Sequence, residues 1–134
     1  MTNEEESQRK YLEYQFLMQH TQQLGQQIQQ IRSHLTELES LNENISEMGN
    51  TKENDEILIP LGSGIFTKGK LSKDKNVIMN VGSDVLVTKS IPDAKKLIEE
   101  QADELKKFVV DLENQLSLLT SNMRIMEENI TDSN

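Results

Sequence analysis

Residues 57–71 read ILIPLGSGIFTKGKL, and residues 76–89 continue the pattern with NVIMNVGSDVLVTK. β-Branched residues are frequent in this part of the chain, in four short apolar runs: 57–61, 65–71, 76–81 and 85–89. Residues typical of turns separate the runs: Gly62-Ser63-Gly64, SKDK at 72–75 and Gly82-Ser83-Asp84. The stretch therefore predicts four strands arranged as two hairpins within residues 57–90.

Part of the first hairpin, GIFTKGKL at 64–71, matches the phosphate-binding pattern G-x-x-x-x-G-K-[ST] up to its last residue. Leu71 stands where a Ser or Thr hydroxyl would hold magnesium. A phosphate-binding loop also needs a helix after its glycines, and here a strand and a second turn follow. We therefore expect Lys70 to be a solvent-facing strand residue and Gly69 to mark a bend or a close approach of strands.

A long helix is predicted before the hairpins, over residues 5–48, because apolar residues recur there at alternating spacings of three and four. Gly25 lies inside it, at a cost of roughly 1 kcal/mol relative to Ala. Gly49 follows it and suits a left-handed position after a helix end. Its predicted seam is Tyr14, Leu17, Thr21, Leu24, Ile28, Ile31, Leu35, Leu38, Asn42 and Ile45.

A second long helix is predicted over residues 91–131, with Ser90 as its cap and Pro92 and Asp93 in its first turn. Its seam has no polar break: Ile98, Ala102, Leu105, Val109, Leu112, Leu116, Leu119, Met123, Met126 and Ile130. Since a short strand segment joins two helices of similar length, we expect an antiparallel coiled coil. The predicted fold is α+β, with residues 1–134 forming a single unit.

The hairpin segment contains more apolar residues than it can bury by itself. Neighbours such as Ile65 and Phe66 point to opposite faces of a strand, and unpaired edges are unfavourable. Either the helices cover one face, or other chains supply strands and close an oligomeric β-barrel, which we favour. The predicted oligomerisation residues are Ile57, Ile59, Leu61, Ile65, Phe66, Ile78, Met79, Val81, Val85 and Val87.

The composition limits what the chain can be. With a formal net charge of −9 and 4% aromatic residues, the chain lacks the bulky apolar groups for one large globular core. The acidic balance argues against a nucleic-acid partner. Cysteine is absent, no apolar run could span a bilayer, and the N-terminus does not resemble a signal peptide. We expect a soluble, cytoplasmic protein.

The order of long helix, two-hairpin insert and long helix resembles the archaeal-type prefoldin alpha subunit. The runs that carry the resemblance are ILIPLGSGIFTKGKL and VIMNVGSDVLVTKSIPDA. Prefoldin beta subunits have a single hairpin, so the two hairpins favour the alpha type. The resemblance implies an assembly of two alpha and four beta subunits around a double β-barrel. It also implies an ATP-independent chaperone that captures non-native polypeptides at the coiled-coil ends and passes them to a group II chaperonin.

Apolar residues near the ends of both helices form a candidate client-binding site. Several lie off the seam and exceed what two helices can bury, which favours an interaction surface, and methionine adapts to many sequences. The candidates are Tyr11, Leu12, Phe16, Met18, Leu118, Met123, Ile125, Met126 and Ile130. Packing in the seam is favoured over client contact for Tyr14, Leu17, Met123 and Met126. Client contact is favoured for Leu12, Phe16 and Ile125. Phe108 and Val110 are ambiguous.

No catalytic, cofactor-binding or metal-binding set is predicted, and His20 and His34 have no metal-ligand spacing. The chain is therefore not expected to be an enzyme or to contact a membrane. Two alternatives to a chaperone remain. The chain could be a structural coiled-coil adaptor that oligomerises through its strands and docks one defined partner, or a nucleotide-binding enzyme that uses Lys70.

Overall fold

A computed structural model describes residues 2–52 and 54–132. In chain order its elements are helix α1 (Asn3–Asn50), strands β1 (Glu56–Gly62), β2 (Ile65–Lys70), β3 (Val77–Asn80) and β4 (Leu86–Lys89), and helix α2 (Ile91–Asp132). β1 pairs with β2 and β3 with β4, both antiparallel. The predicted fold class of two long helices with two hairpins between them is confirmed, and the described residues of the single chain form no closed barrel.

Both helices begin with a hydroxyl cap, and the cap of α2 is the predicted Ser90. The Thr2 hydroxyl accepts a hydrogen bond from the Glu5 amide at 3.3 Å, and three glutamates occupy the first turn of α1, where they favour the positive helix end. The Ser90 hydroxyl accepts from the Asp93 amide at 3.3 Å. Each cap satisfies one of the free amides that every helix start leaves.

The C-terminal end of α1 differs from the prediction for Gly49. This residue is helical and has no positive φ, since α1 continues to Asn50. Lys75, from the loop between the hairpins, donates hydrogen bonds to the carbonyls of Gly49, at 3.3 Å, and Thr51. The Thr51 hydroxyl donates to the Glu47 carbonyl at 3.0 Å. A distant lysine and a local threonine therefore satisfy the helix end in place of a left-handed glycine.

The described chain divides into two compact units. The first comprises the described residues 2–36 and 103–132. Its core consists of Leu24 and Ile28 from α1 with Val109 and Leu112 from α2, all buried. Half-buried Ile31, Leu35, Leu116 and Leu119 pack against that core. Each of these residues occupies a predicted seam position.

The second unit comprises residues 37–102 and contains the inner ends of both helices and the hairpins. Its buried apolar residues are Leu38, Ile45, Ala94 and Ile98. Asn42 lies on the same seam of α1, and its side-chain oxygen is buried without a hydrogen-bond partner among the described residues. The α1 seam thus has one uncompensated polar group.

Left-handed residues form the turns of both hairpins. Between β1 and β2, Gly62, Ser63 and Gly64 have φ of 125°, 50° and 78°. The register shifts between Pro60 and Gly62, which marks a bulge where the proline cannot donate to the ladder. Gly82, Ser83 and Asp84 have φ of 125°, 50° and 60° between β3 and β4. The predicted turn residues therefore occupy the turns.

Candidate interaction surfaces

The described residues of the first unit expose eight large apolar side chains that lie off the seam, two of which are Phe108 and Val110. We call the other six the terminal patch: Tyr11, Leu12, Phe16, Met18, Leu118 and Ile125. The exposed fraction reaches 69% for Phe16 and 68% for Leu118, and is lowest, at 39%, for Met18. Leu12 and Phe16 are four residues apart, and Leu118 and Ile125 are seven apart, so each pair lies on one face of its helix. All six are predicted client-binding residues.

The other predicted client-binding residues differ in their surroundings. Met123 and Met126 are half-buried on the seam of α2. The Met123 sulfur lies 3.3 Å from the Thr21 hydroxyl, which also donates to the Leu17 carbonyl at 2.8 Å. The side chain of Ile130 lies outside the part of the chain that the structure describes. The structure therefore separates exposed candidates from candidates that take part in helix packing.

Polar contacts between the helices fix their antiparallel alignment in this unit. The Tyr14 hydroxyl donates to the Glu127 carboxylate, and Arg32 forms an ion pair with Glu113. The hydrogen bond to Glu127, followed by partial desolvation and the charge of Glu127, raises the pKa of Tyr14 above its ordinary value of 10.0. Tyr14 consequently keeps its proton at neutral pH and can hold the carboxylate.

A second apolar surface lies on the hairpins. We call it the strand faces, meaning the exposed large apolar residues of β1 to β4 and their turns: Leu58, Ile59, Leu61, Ile65, Phe66, Ile78, Val81, Val85 and Leu86. Ile57, Met79 and Val87 are half-buried. Met79 and Val87 are directly opposite each other in the β3–β4 register. In the single chain these hairpins therefore expose apolar groups that a globular protein normally buries.

The residues predicted to mediate oligomerisation do not include Leu58 and Leu86. These two side chains are 65% and 64% exposed, more than the predicted Ile59 at 42%. The prediction took alternate positions 57, 59 and 61, which share one face of the strand, and Leu58 lies on the other face. The uninterrupted run ILI indicates that both faces are apolar. The same argument applies to the run VLV, which contains Leu86.

Gly69 has the close packing that its position in β2 predicted. A Cβ built there would lie 2.7 Å from the Cδ1 atom of Ile59 on β1. Gly69 pairs directly with Ile57, and Ile59 is the diagonal neighbour. Glycine at position 69 therefore leaves space for the Ile59 side chain. This packing role explains the glycine without phosphate binding. Lys70 ends an exposed strand, and no helix follows it before β3.

Two further polar features of the described residues are a pair of histidines and a cavity near the end of α1. No group of three or more His, Cys, Asp or Glu residues within the described chain could hold a metal ion, and both histidines are exposed. A cavity of about 300 Å³ is lined by Lys52, Leu71, Ser72, Lys73 and Lys75. Of these, Lys75 donates a hydrogen bond to the Gly49 carbonyl at the end of α1. Neither helix, over its described residues, contains an apolar stretch of the length that a bilayer span requires.

Comparison with known proteins gives one consistent family. The family model "Prefoldin subunit" matches residues 17–133. The chain is 25% identical over 118 residues to the prefoldin subunit alpha of Thermofilum pendens, covering 88% of this chain and 92% of that one. It is 37% identical over 87 residues to the prefoldin subunit alpha of Methanococcus aeolicus, covering 62% of this chain but only 60% of that relative.

A solved structure shows the same fold. It is a chain of the filamentous PFD from Methanocaldococcus jannaschii, determined by cryo-EM. The TM-score is 0.71 at 20% sequence identity, over 93% of this chain and 98% of that chain. At this identity the likeness carries the fold alone.

Proposed function

This chain belongs to the prefoldin family, and from that membership we propose that it is an alpha subunit of an ATP-independent holdase chaperone. Its resemblance to archaeal prefoldin alpha subunits is confirmed by the family match and the relatives. In the proposed activity, the terminal patch binds non-native polypeptides and the complex delivers them to a group II chaperonin. No reaction is catalysed and no nucleotide or metal is needed.

The observation that carries this proposal is the terminal patch. Its six side chains are exposed although the seam between the helices is already filled by other residues. Non-native polypeptides expose apolar side chains, and burial of both surfaces on contact releases free energy at about 25 cal/mol per Å². The mixture of aromatic, branched and methionine side chains suits partners of varied sequence.

We propose further that the strand faces bind other prefoldin subunits. Two alpha and four beta subunits would bring their hairpins together as a double barrel, in which each open strand edge finds a partner. We place this assembly in the cytoplasm, in keeping with a chain without cysteine. Nucleic acid and membranes are not proposed partners.

An aggregation assay tests the chaperone activity. The chain assembled with a prefoldin beta subunit should suppress aggregation of a chemically denatured protein in the absence of nucleotide, and ATP with magnesium should change nothing. The triple variant Leu12→Ser, Phe16→Ser, Ile125→Ser should lose most of this suppression. Leu41→Ser, at another exposed leucine of α1, is the matched control and should retain it.

The same variants distinguish the chaperone from the structural adaptor. An adaptor would lose a single defined partner when the terminal patch is changed, and its wild-type form would not protect unrelated denatured proteins. Loss of protection against several unrelated clients supports the chaperone. An assembled wild-type complex that protects none of them would rule out the proposed function.

A further inference from the structure

The coiled coil of the first unit has a zone without charged residues. Residues 14–31 of α1 and 114–123 of α2 contain no Asp, Glu, Lys or Arg, although 28% of the whole chain is charged. The Thr21–Met123 contact and the Arg32–Glu113 pair place residues 21–31 of α1 beside 114–123 of α2. We call this zone the uncharged belt.

Charged side chains begin again at both ends of the belt. Arg32 and Glu113 form an ion pair at one end. At the other end, Glu13 pairs with Arg9 at 3.7 Å. Both helices change composition at the level of the Arg32–Glu113 pair. At the other end α2 becomes charged first, since Arg124 follows Met123 and Glu127 binds Tyr14. Both helices together are therefore uncharged where residues 21–31 lie beside 114–123.

Glutamine fills the outward side of the belt on α1. Gln15, Gln19, Gln22, Gln26 and Gln29 recur at spacings of four and three on the stripe opposite the seam, and all are exposed. None of them forms a side-chain hydrogen bond among the described residues. Each amide thus presents two donors and an acceptor to whatever approaches the helix.

Helix formation and hydration do not account for this composition. Glutamate and lysine form helices as well as glutamine does, and α1 uses charged side chains for its exterior farther along, at Glu37, Glu39, Glu43 and Glu47. What glutamine adds is the ability to donate and accept hydrogen bonds without imposing a charge. A partner rich in amide groups, with no fixed charge of its own, matches that property.

Building on the proposed function, we propose that the uncharged belt binds the backbone of an extended client polypeptide through its glutamine amides. Non-native chains carry backbone N–H and C=O groups that have no hydrogen-bond partner within the chain. An extended strand presents these groups on one edge about every 6.8 Å. Gln22 and Gln26 are separated by about 6 Å along the helix axis, a distance that flexible side chains can match.

The position of the belt supports the same partner. Phe16, Met18 and Leu118 of the terminal patch lie within the two uncharged stretches. Client side chains can therefore contact the patch while the client backbone contacts the glutamines. The belt also spares acidic clients the repulsion that a chain of net charge −9 would otherwise impose at close range.

Backbone N-methylation tests the proposal because it removes N–H donors and leaves the side chains in place. Two fluorescent unfolded peptides of identical sequence, one with alternate backbone nitrogens methylated, are titrated into the full-length chain assembled with a prefoldin beta subunit. The belt variant carries Gln15→Ala, Gln19→Ala, Gln22→Ala and Gln26→Ala. These substitutions remove the side-chain amides, keep the net charge and favour the helix.

The control variant carries the same kind of substitution on the same stripe outside the belt, Thr36→Ala with Ser40→Ala. We expect N-methylation to weaken binding about tenfold for the wild type and the control. The belt variant should bind both peptides equally, at the affinity of the methylated peptide for the wild type. Circular dichroism and native mass spectrometry should show unchanged helix content and assembly.

Equal effects of N-methylation on the wild type and the belt variant would overturn the proposal while leaving the chaperone function standing. A belt variant that assembles differently from the wild type would also overturn it, in favour of contacts between copies of the coiled coil. If the assembled wild type binds neither peptide, the proposed function fails as well.

Discussion

Asn42 is the residue at which the seam of α1 departs most from apolar packing. Its side-chain oxygen is buried and accepts no hydrogen bond among the described residues, and such a group costs about 1 to 3 kcal/mol. A polar residue in a seam can also restrict the register of the helices. Asn42 is therefore a position where stability and pairing specificity oppose each other.

We predict that Asn42→Leu raises the free energy of unfolding by about 1 to 3 kcal/mol, because it removes the unpaired acceptor and adds apolar contact. Urea unfolding followed by circular dichroism measures the change. Ser33→Leu, at an exposed position of the same helix, is the control and should have little effect. A destabilised Asn42→Leu protein would mean that the amide is paired in solution.

Gly25 is a second position that favours substitution. A Cβ there would meet no atom within 4 Å, and glycine in a helix interior costs about 1 kcal/mol relative to alanine. Gly25→Ala should therefore raise the unfolding free energy by about 1 kcal/mol. Gly64→Ala should lower it, since Gly64 has a φ of 78°. Equal responses of the two variants would contradict this explanation.

The Tyr14–Glu127 hydrogen bond makes stability depend on alkaline pH. Because the pKa of Tyr14 is raised in the folded state, its stabilising effect is complete below the ordinary tyrosine value of 10.0. The effect is lost as the pH rises through the folded pKa. Above it, tyrosinate would face a carboxylate.

Tyr14→Phe should therefore be less stable than the wild type at neutral pH. The difference should shrink, and then disappear or reverse, as the pH rises from about 10 through the folded pKa. Thermal unfolding at a series of pH values measures this. Tyr11→Phe serves as the control because the Tyr11 side chain is exposed. A Tyr14→Phe difference that stays constant into the alkaline range would show that the hydrogen bond does not form in solution.

At the scale of elements, the periodic parts of the chain were the predictable ones. Ile28, Leu38 and Val109 were assigned to seams from spacing alone, and the structure buries them, because a helix repeats its faces regularly along the sequence. The hairpin turns were predictable for a local reason as well, since few residues adopt positive φ.

Contacts between residues distant in sequence were not predictable. Nothing near residue 75 signals that its ammonium group reaches the end of α1, and local chemistry favoured Gly49 as a cap instead. Leu58 and Leu86 were missed because alternation assigns one face of a strand to the interior, a rule that requires a covered face. In the single chain both faces of these hairpins carry exposed apolar groups.

Lys75 connects the hairpin segment to the helix that precedes it. No basic residue lies in the last turn of α1, so the cation that favours the negative helix end comes from Lys75. We predict that Lys75→Met lowers the unfolding free energy by about 1 kcal/mol, with a smaller effect at high salt. Lys107→Met, which changes the net charge equally at an exposed position, should have no such effect. Matching losses for both variants would point to net charge alone.

For the whole molecule, the balance between core and exposed apolar surface is the controlling feature. The buried core is a narrow seam between two helices, and the strand faces leave large apolar side chains in water. If subunit assembly covers the strand faces, folding and association are coupled and the apparent stability depends on protein concentration.

We therefore predict that the thermal midpoint of the chain with a prefoldin beta subunit rises with total protein concentration. Leu86→Lys should weaken assembly because it places a charge within an apolar interface. It should have little effect on the single chain, in which Leu86 is 64% exposed. Sedimentation analysis should show smaller species for Leu86→Lys. The thermal midpoint of this variant should be close to the midpoint that the wild type has when it is highly diluted. Val110→Lys, at an exposed valine of α2, should assemble normally. A midpoint independent of concentration, with Leu86→Lys assembling like the wild type, would place the subunit interface elsewhere.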